Sequence, residues 1–458
     1  MGIKNRLVGM SFLQFFVWGA WLITIANYWF GTRQWDGTQF GLVFATMGFA
    51  SIFMPTLTGI IADRWINAEK LYGIMHILYA AVLFYLPQVG DPATFIYVMF
   101  AAMCFYMPTI SLSNSVSYAA LKSNGYDVIK DFPPIRVWGT IGFIAAMWIT
   151  NLTGSKASEY QFYIAGIAAV LLGLYAFTLP KCPPQNLTKE NSSLSETLGL
   201  GAFKLFANYK MALFFVFSMF LGGALQLTNA YGDVFLDEFK HFPKYENSFV
   251  VEYSTIIMSI SQISETLFIL AIPFFLRRFG IKQVMLISMF AWVLRFGLFA
   301  YGDPTTGLWM IILSCIVYGM AFDFFNISGS LFVETNTSNK IRSSAQGLFM
   351  MMTNGFGAVF GSVVSGWMIE KYFTRSFNNS GELATFLETE PANQSMESFV
   401  TGQGVQVAAD GSFNNAIMLR DWPSIWLAFA AYALVIAIAF AVMFKHKHDP
   451  KEVANIAH

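Results

Sequence analysis

The chain has 458 residues, of which 56% are hydrophobic, 17% aromatic and only 12% charged, and its formal net charge is zero. Soluble domains carry about 25% charged residues, so this composition, with a mean hydropathy of +0.53, excludes a soluble globular protein. The neutral balance argues against a nucleic-acid partner, and continuous apolar runs rather than short alternating ones exclude a β-barrel.

In chain order, Lys4 and Arg6 precede an apolar run to Phe30. That run is too long for a signal-peptide core and lacks a small-residue cleavage site, so it reads as a retained first span. Twelve spans are predicted, at 8–30, 39–62, 69–87, 93–121, 134–153, 160–179, 211–236, 249–276, 281–301, 306–334, 341–370 and 421–444. With the N-terminus inside, the inner segments carry eighteen lysines and arginines and the outer segments seven. The positive-inside rule therefore places both termini in the cytoplasm. The three cysteines, Cys104, Cys182 and Cys315, form neither a disulfide framework nor a zinc spacing.

Segment 181–210 is the longest inner connector. It opens on Pro183 and Pro184 and continues with Leu194, Leu198, Phe203 and Phe206 at helix-like intervals, which predicts a surface helix lying on the membrane. The chain thus divides into an N-terminal six-helix half (1–180), this linker, and a C-terminal half (211–458). Six plus six spans about a cytoplasmic connector is the hydropathy pattern of the major facilitator superfamily, an all-α polytopic fold. Gly59-Ile60-Ile61-Ala62-Asp63-Arg64 closes span two and resembles the G-x-x-x-D-R core of that superfamily's loop signature. The resemblance implies a conformational role for Gly59, Asp63 and Arg64; the usual basic continuation is replaced by Trp65-Ile66-Asn67. Gly139 and Gly142 in span five, and Gly355, Gly357, Gly361 and Gly366 in span eleven, mark close helix contacts. Segment 371–420, on the outer face, is polar and slightly acidic. Disorder and a small cap both fit it, and its composition favours disorder.

Polar residues recur at helical spacing inside four spans. Span five carries Arg136, Thr140 and Phe143 behind Pro133-Pro134, a suitable helix start. Span seven carries Gln226 and Asn229, span eight Gln262 and Glu265, and span ten Tyr318, Phe322, Asp323 and Asn326. Such spacings put each group on one helix face. A charge at mid-bilayer costs about 2.5–3.5 kcal/mol on insertion scales, whereas an interhelical hydrogen bond returns only about 0.6 kcal/mol. A shared midplane cavity explains the set better than structural glue. Amides and carboxylates suit hydroxyls and a base edge; Phe143, Phe322 and Tyr318 suit a flat ring. Arg136 against Glu265 and Asp323 leaves the ionised cavity at −1, which one proton neutralises. Asp323 is the expected proton site, with Glu265 the alternative.

Several strings resemble the bacterial nucleoside:proton symporters. They are Phe132-Pro133-Pro134-Ile135-Arg136-Val137-Trp138-Gly139-Thr140, Ser259-Ile260-Ser261-Gln262-Ile263-Ser264-Glu265, Tyr318-Gly319-Met320-Ala321-Phe322-Asp323-Phe324-Phe325-Asn326, and Met351-Met352-Thr353-Asn354-Gly355-Phe356-Gly357. The resemblance spans nearly the whole chain. It implies import of nucleosides driven by the proton gradient, without a cofactor, by a monomer in the bacterial inner membrane. It also implies nucleoside contacts at Arg136, Thr140, Phe143, Gln226, Asn229, Gln262, Glu265, Tyr318, Phe322 and Asp323. A sugar carrier of the same fold and a nucleoside receptor remain as alternatives; no H-E-x-x-H or phosphate-cradling loop supports an enzyme. Arg295 reads as snorkelling or structurally paired. Asp233, Asp237, Glu334 and Glu370 fall near span ends, where hydration is cheap.

Overall fold

The computed structural model describes residues 2–184, 200–338, 342–391 and 393–447. Apolar runs long enough to cross a bilayer satisfy every backbone group internally only as helices, and the described residues are organised accordingly. In the first half these are α1 (Ile3–Gly19), α2 (Phe40–Arg64), α3 (Ala68–Tyr85), α4 (Pro92–Ser123), α5 (Val128–Leu152) and α6 (Tyr160–Ala176). In the second half α7 spans Tyr209–Asp237. The run Ser254–Tyr301 breaks at Gly280, whose φ of 77° and ψ of 170° belong to a region only glycine adopts readily. It therefore supplies two antiparallel spans, α8 before Gly280 and α9 after it. Leu308–Asn336 is α10, Ser344–Phe373 is α11 and Trp422–Met443 is α12. This is the major facilitator architecture, with twelve long helices among the described residues in two sets of six.

The halves meet along two reciprocal seams, α2 against α11 and α5 against α8. The second helix of one half thus meets the fifth of the other in both directions, the arrangement that an axis along the membrane normal generates. The α2–α11 seam rests on glycines. A Cβ on Gly41 would sit 2.1 Å from the Ser362 carbonyl oxygen, and one on Gly48 2.7 Å from that of Gly355. Within the halves, Gly142 lets α5 lie on the Phe12 backbone of α1, and Gly361 faces Gly223 of α7. The glycine-rich stretches predicted as contact surfaces are contact surfaces.

Three expectations need correction. Span one is not continuous: α1 stops at Gly19, pressed against the Phe143 backbone, and the chain resumes as a π-helical turn at Asn27–Thr32. Pro133 and Pro134 lie inside α5 rather than opening it, because the helix begins at Val128. The segment after α11 is folded. Its strands β1 (Thr374–Asn379) and β2 (Ser412–Arg420) pair antiparallel, with Thr374 opposite Arg420 and Phe377 opposite Ile417. They close a small core of Phe377, Leu383, Leu387, Met396, Val400 and Ile417. Spaced apolar residues in a polar background suffice to build this cap. The expected surface helix of the connector lies partly outside the described residues; its described part is a 3-10 helix at Leu200–Ala207.

Both described terminal regions lie at the end opposite the cap. Lys4 Nζ pairs with Asp131 at the start of α5 at 2.7 Å, and Lys210 Nζ, at the start of α7, lies 2.7 Å from His446 Nδ1. A larger side chain at Gly361 is expected to overpack the α7–α11 contact, where a Cβ would meet Gly223 Cα at 2.3 Å. Gly361→Val should cost about 1–3 kcal/mol, seen as a lower melting temperature of the detergent-solubilised protein. Gly297→Ala, where nothing lies within 4 Å of the added carbon, should leave it unchanged.

Candidate functional site

The polar stripes of α5, α8 and α10 converge. Arg136 of α5 has Glu265 of α8 and Asp323 of α10 as its charged neighbours, together with the Tyr106 hydroxyl of α4. One half therefore presents the cation and the other both acids. Tyr318 of α10 lies within electrostatic reach of both acids, and Gln262 approaches its hydroxyl. Asp323 is only 5% exposed and Gln226 only 8%. Asp323 Oδ2 and Gln226 Oε1 are buried without a hydrogen-bond partner in the protein. Orphaned acceptors of this kind are what a donor-bearing ligand would satisfy. Thr140 is one turn from Arg136, and Asn229 one turn from Gln226, on the same faces.

Aromatic rings complete the walls. Phe143 is 8% exposed and makes an edge contact with Trp18 of α1 at 6.3 Å. The Arg136 guanidinium lies 3.9 Å from the centre of the Phe15 ring, a cation–π contact that orients the charge without neutralising it. Tyr318 stands edge-on to Trp292 at 5.9 Å, and Phe322 packs against the main core. Phe15, Trp18 and Tyr106 were not singled out from sequence. With 48 Phe, 12 Trp and 19 Tyr in the chain, an aromatic residue carries no contrast; only the break after Gly19 would have drawn attention to α1.

On the cap side of this layer the halves are tied together. The Lys156 ammonium pairs with Asp237 at 2.8 Å and donates to the Val251 carbonyl at 2.7 Å. Asn151 Nδ2 donates to the Glu252 carbonyl at 2.9 Å, and its Oδ1 accepts from Thr255 N at 3.2 Å. Trp148 Nε1 donates to Ser259 Oγ at 2.9 Å, and Asn27 Nδ2 donates to Asp233 Oδ2. The site is thus closed toward the cap. Asp233 and Asp237 are 1% and 4% exposed, so these acids are buried closure residues, not hydrated span ends. Gly59, Asp63 and Arg64 sit apart, at the opposite end of α2, with Asp63 and Arg64 exposed. Arg295 does not snorkel: it is fully buried behind Tyr318.

Comparison with known proteins converges on one family. A family model described as "Nucleoside H+ symporter" matches residues 1–390. Nucleoside permease NupG of Escherichia coli (strain K12) is 47% identical over 449 residues, covering 98% of this chain and 97% of the relative. Xanthosine permease of the same organism is 48% identical over 458 residues, covering 100% and 99%. A crystal structure of a nucleoside transporter NupG mutant superposes with a TM-score of 0.85 at 46% identity, covering 97% of this chain and 100% of that one. The chain belongs to the nucleoside H+ symporter family, a family of transporters and not of enzymes.

Proposed function

We propose that the midplane layer is a nucleoside site and that a proton carried by Asp323 couples its reorientation to the proton gradient. The observation that carries this reading is the facing of Arg136 toward Glu265 and Asp323 across the halves, with Asp323 Oδ2 and Gln226 Oε1 left to a ligand. The named relatives carry nucleosides in one case and xanthosine in the other, by the names they bear, and this supports purine and pyrimidine nucleosides as the substrate class here. The base lies between Phe143, Phe322 and Tyr318. Gln226 and Asn229 meet its polar edge, Gln262 and Glu265 hold ribose hydroxyls, and Arg136, with Thr140 beside it, donates to a base carbonyl.

Alternating access follows from where the charges are. Arg136 belongs to one half and the two acids to the other, so rocking the halves alters an electrostatic contact made in low dielectric. A proton on Asp323 removes one charge from that contact. The division at 1–180, 181–210 and 211–458 gives the moving bodies, and Gly59, Asp63 and Arg64 act on the conformational change. The chain works as a monomer in the bacterial inner membrane with both termini cytoplasmic.

Uptake of labelled uridine and adenosine into proteoliposomes, with and without a proton gradient, tests the whole. Saturable, gradient-stimulated uptake is expected; its absence for every nucleoside sinks the reading, and uptake of sugars instead would replace the substrate class. Asp323→Asn is expected to abolish accumulation above equilibrium while nucleoside exchange persists. Undiminished accumulation in that variant would transfer the proton to Glu265. Gln226→Ala removes one polar partner, worth about 1–3 kcal/mol when buried. It should raise KM roughly fivefold or more, with little change in Vmax.

A further inference from the structure

Arg295 of α9 has no exposed surface, and no carboxylate is among its electrostatic neighbours, which are Cys315 and Tyr318. Its guanidinium lies 4.6 Å from the centre of the Tyr318 ring and 4.9 Å from that of Phe299. Nε donates to Thr228 Oγ1 of α7 at 3.3 Å. Nη1 donates to Ser261 Oγ of α8 at 3.4 Å and to the Ser314 carbonyl of α10 at 2.7 Å. Ser314 Oγ donates back to the Arg295 carbonyl at 2.9 Å. Nη2 has no hydrogen-bond partner among the described residues, and the Cys315 side chain of α10 lies beside the guanidinium.

Each of these partners adjoins a residue of the proposed site. Thr228 stands between Gln226 and Asn229, Ser261 precedes Gln262 and is one turn from Glu265, and Ser314 is one turn from Tyr318. One planar fork thus spans the backs of the three helices that carry every site residue of the second half. The same guanidinium lies over the Tyr318 ring. A serine or asparagine would link two helices at far lower desolvation cost. What a guanidinium adds is reach to three helices at once in a rigid plane, plus a cation for the Tyr318 ring.

We propose that Arg295 is a positioning residue of the transport site, fixing the Tyr318 ring and the relative placement of α7, α8 and α10. This rests on the nucleoside reading for its substrate but not for its geometry. Arg295→Met should raise KM for uridine about tenfold or more, with Vmax per inserted molecule within about threefold. Arg295→Lys keeps the cation and loses the fork, so its KM should lie between those of the wild type and Arg295→Met. If Arg295 acts through Tyr318, adding Arg295→Met to Tyr318→Ala should raise KM little beyond Tyr318→Ala alone. A wild-type KM in both single variants, with uptake reduced only as folded protein is reduced, overturns the proposal, as does full additivity in the pair. Hydrogen exchange of the Leu308–Asn336 helix without substrate decides the geometry separately. It should quicken around Tyr318 in Arg295→Lys, and an unchanged rate there also overturns the proposal. Failure of the nucleoside reading would instead show as wild-type protein without saturable uridine uptake.

Discussion

The attraction between Arg136 and the two acids across the seam is the interaction on which the rest of the molecule depends. Each charge at this depth is costly alone, and among the described residues none forms an ion pair within its own half. The halves must therefore be brought together at this layer, or water admitted to it. That requirement explains the reciprocal seams of α2 with α11 and α5 with α8. It also explains why the α2–α11 seam is lined with glycine: backbones there must approach closely enough to hold the halves together at this layer. The orphaned acceptors on Asp323 and Gln226 mark where the protein stops satisfying itself.

Much of this was legible in the residues, because a membrane interior makes polarity informative. Against an apolar background, Gln226, Gln262, Glu265 and Asp323 stand out at helical spacing, and the structure faces the acids toward Arg136 as that spacing implied. Arg295 was legible only as snorkelling or structurally paired, and the second alternative holds: three polar partners on three helices keep it inside. Those partners are Thr228, Ser261 and the Ser314 backbone, groups too common in helices to announce a site. The aromatic wall was illegible for the opposite reason: in a chain this rich in Phe and Trp, position within the fold rather than residue type selects Phe15 and Trp18.

The cap shows the limit of composition as evidence. A polar, Asn- and Ser-rich stretch lacks the density of apolar residues expected of a core. Yet Phe377, Leu383, Leu387, Met396, Val400 and Ile417 are enough when a strand pair fixes their geometry. Part of the apolar support comes from outside the segment, from Phe242 in the α7–α8 connection, whose ring lies 5.9 Å from Phe386. A local reading of the segment could not count that ring.

The way the cap is fastened bears on how the halves move. Its anchors lie on the second half: Arg420 pairs with Glu238, which also accepts from Trp422 Nε1 at 2.7 Å. The His241 ring lies tilted against Phe399 at 4.5 Å, and Lys244 pairs with Glu388. Toward the first half, the Arg420 guanidinium sits 3.5 Å from the Phe30 ring centre, and Glu370 crowds Gly37. A cation over an aromatic face is weaker and less directional than a buried ion pair. The cap core and its ion pairs are therefore fastened to the second half, with the Phe30 contact as their weaker link to the first. The stronger ties between the halves at this end lie beneath the cap, at Asn27, Asn151 and Lys156.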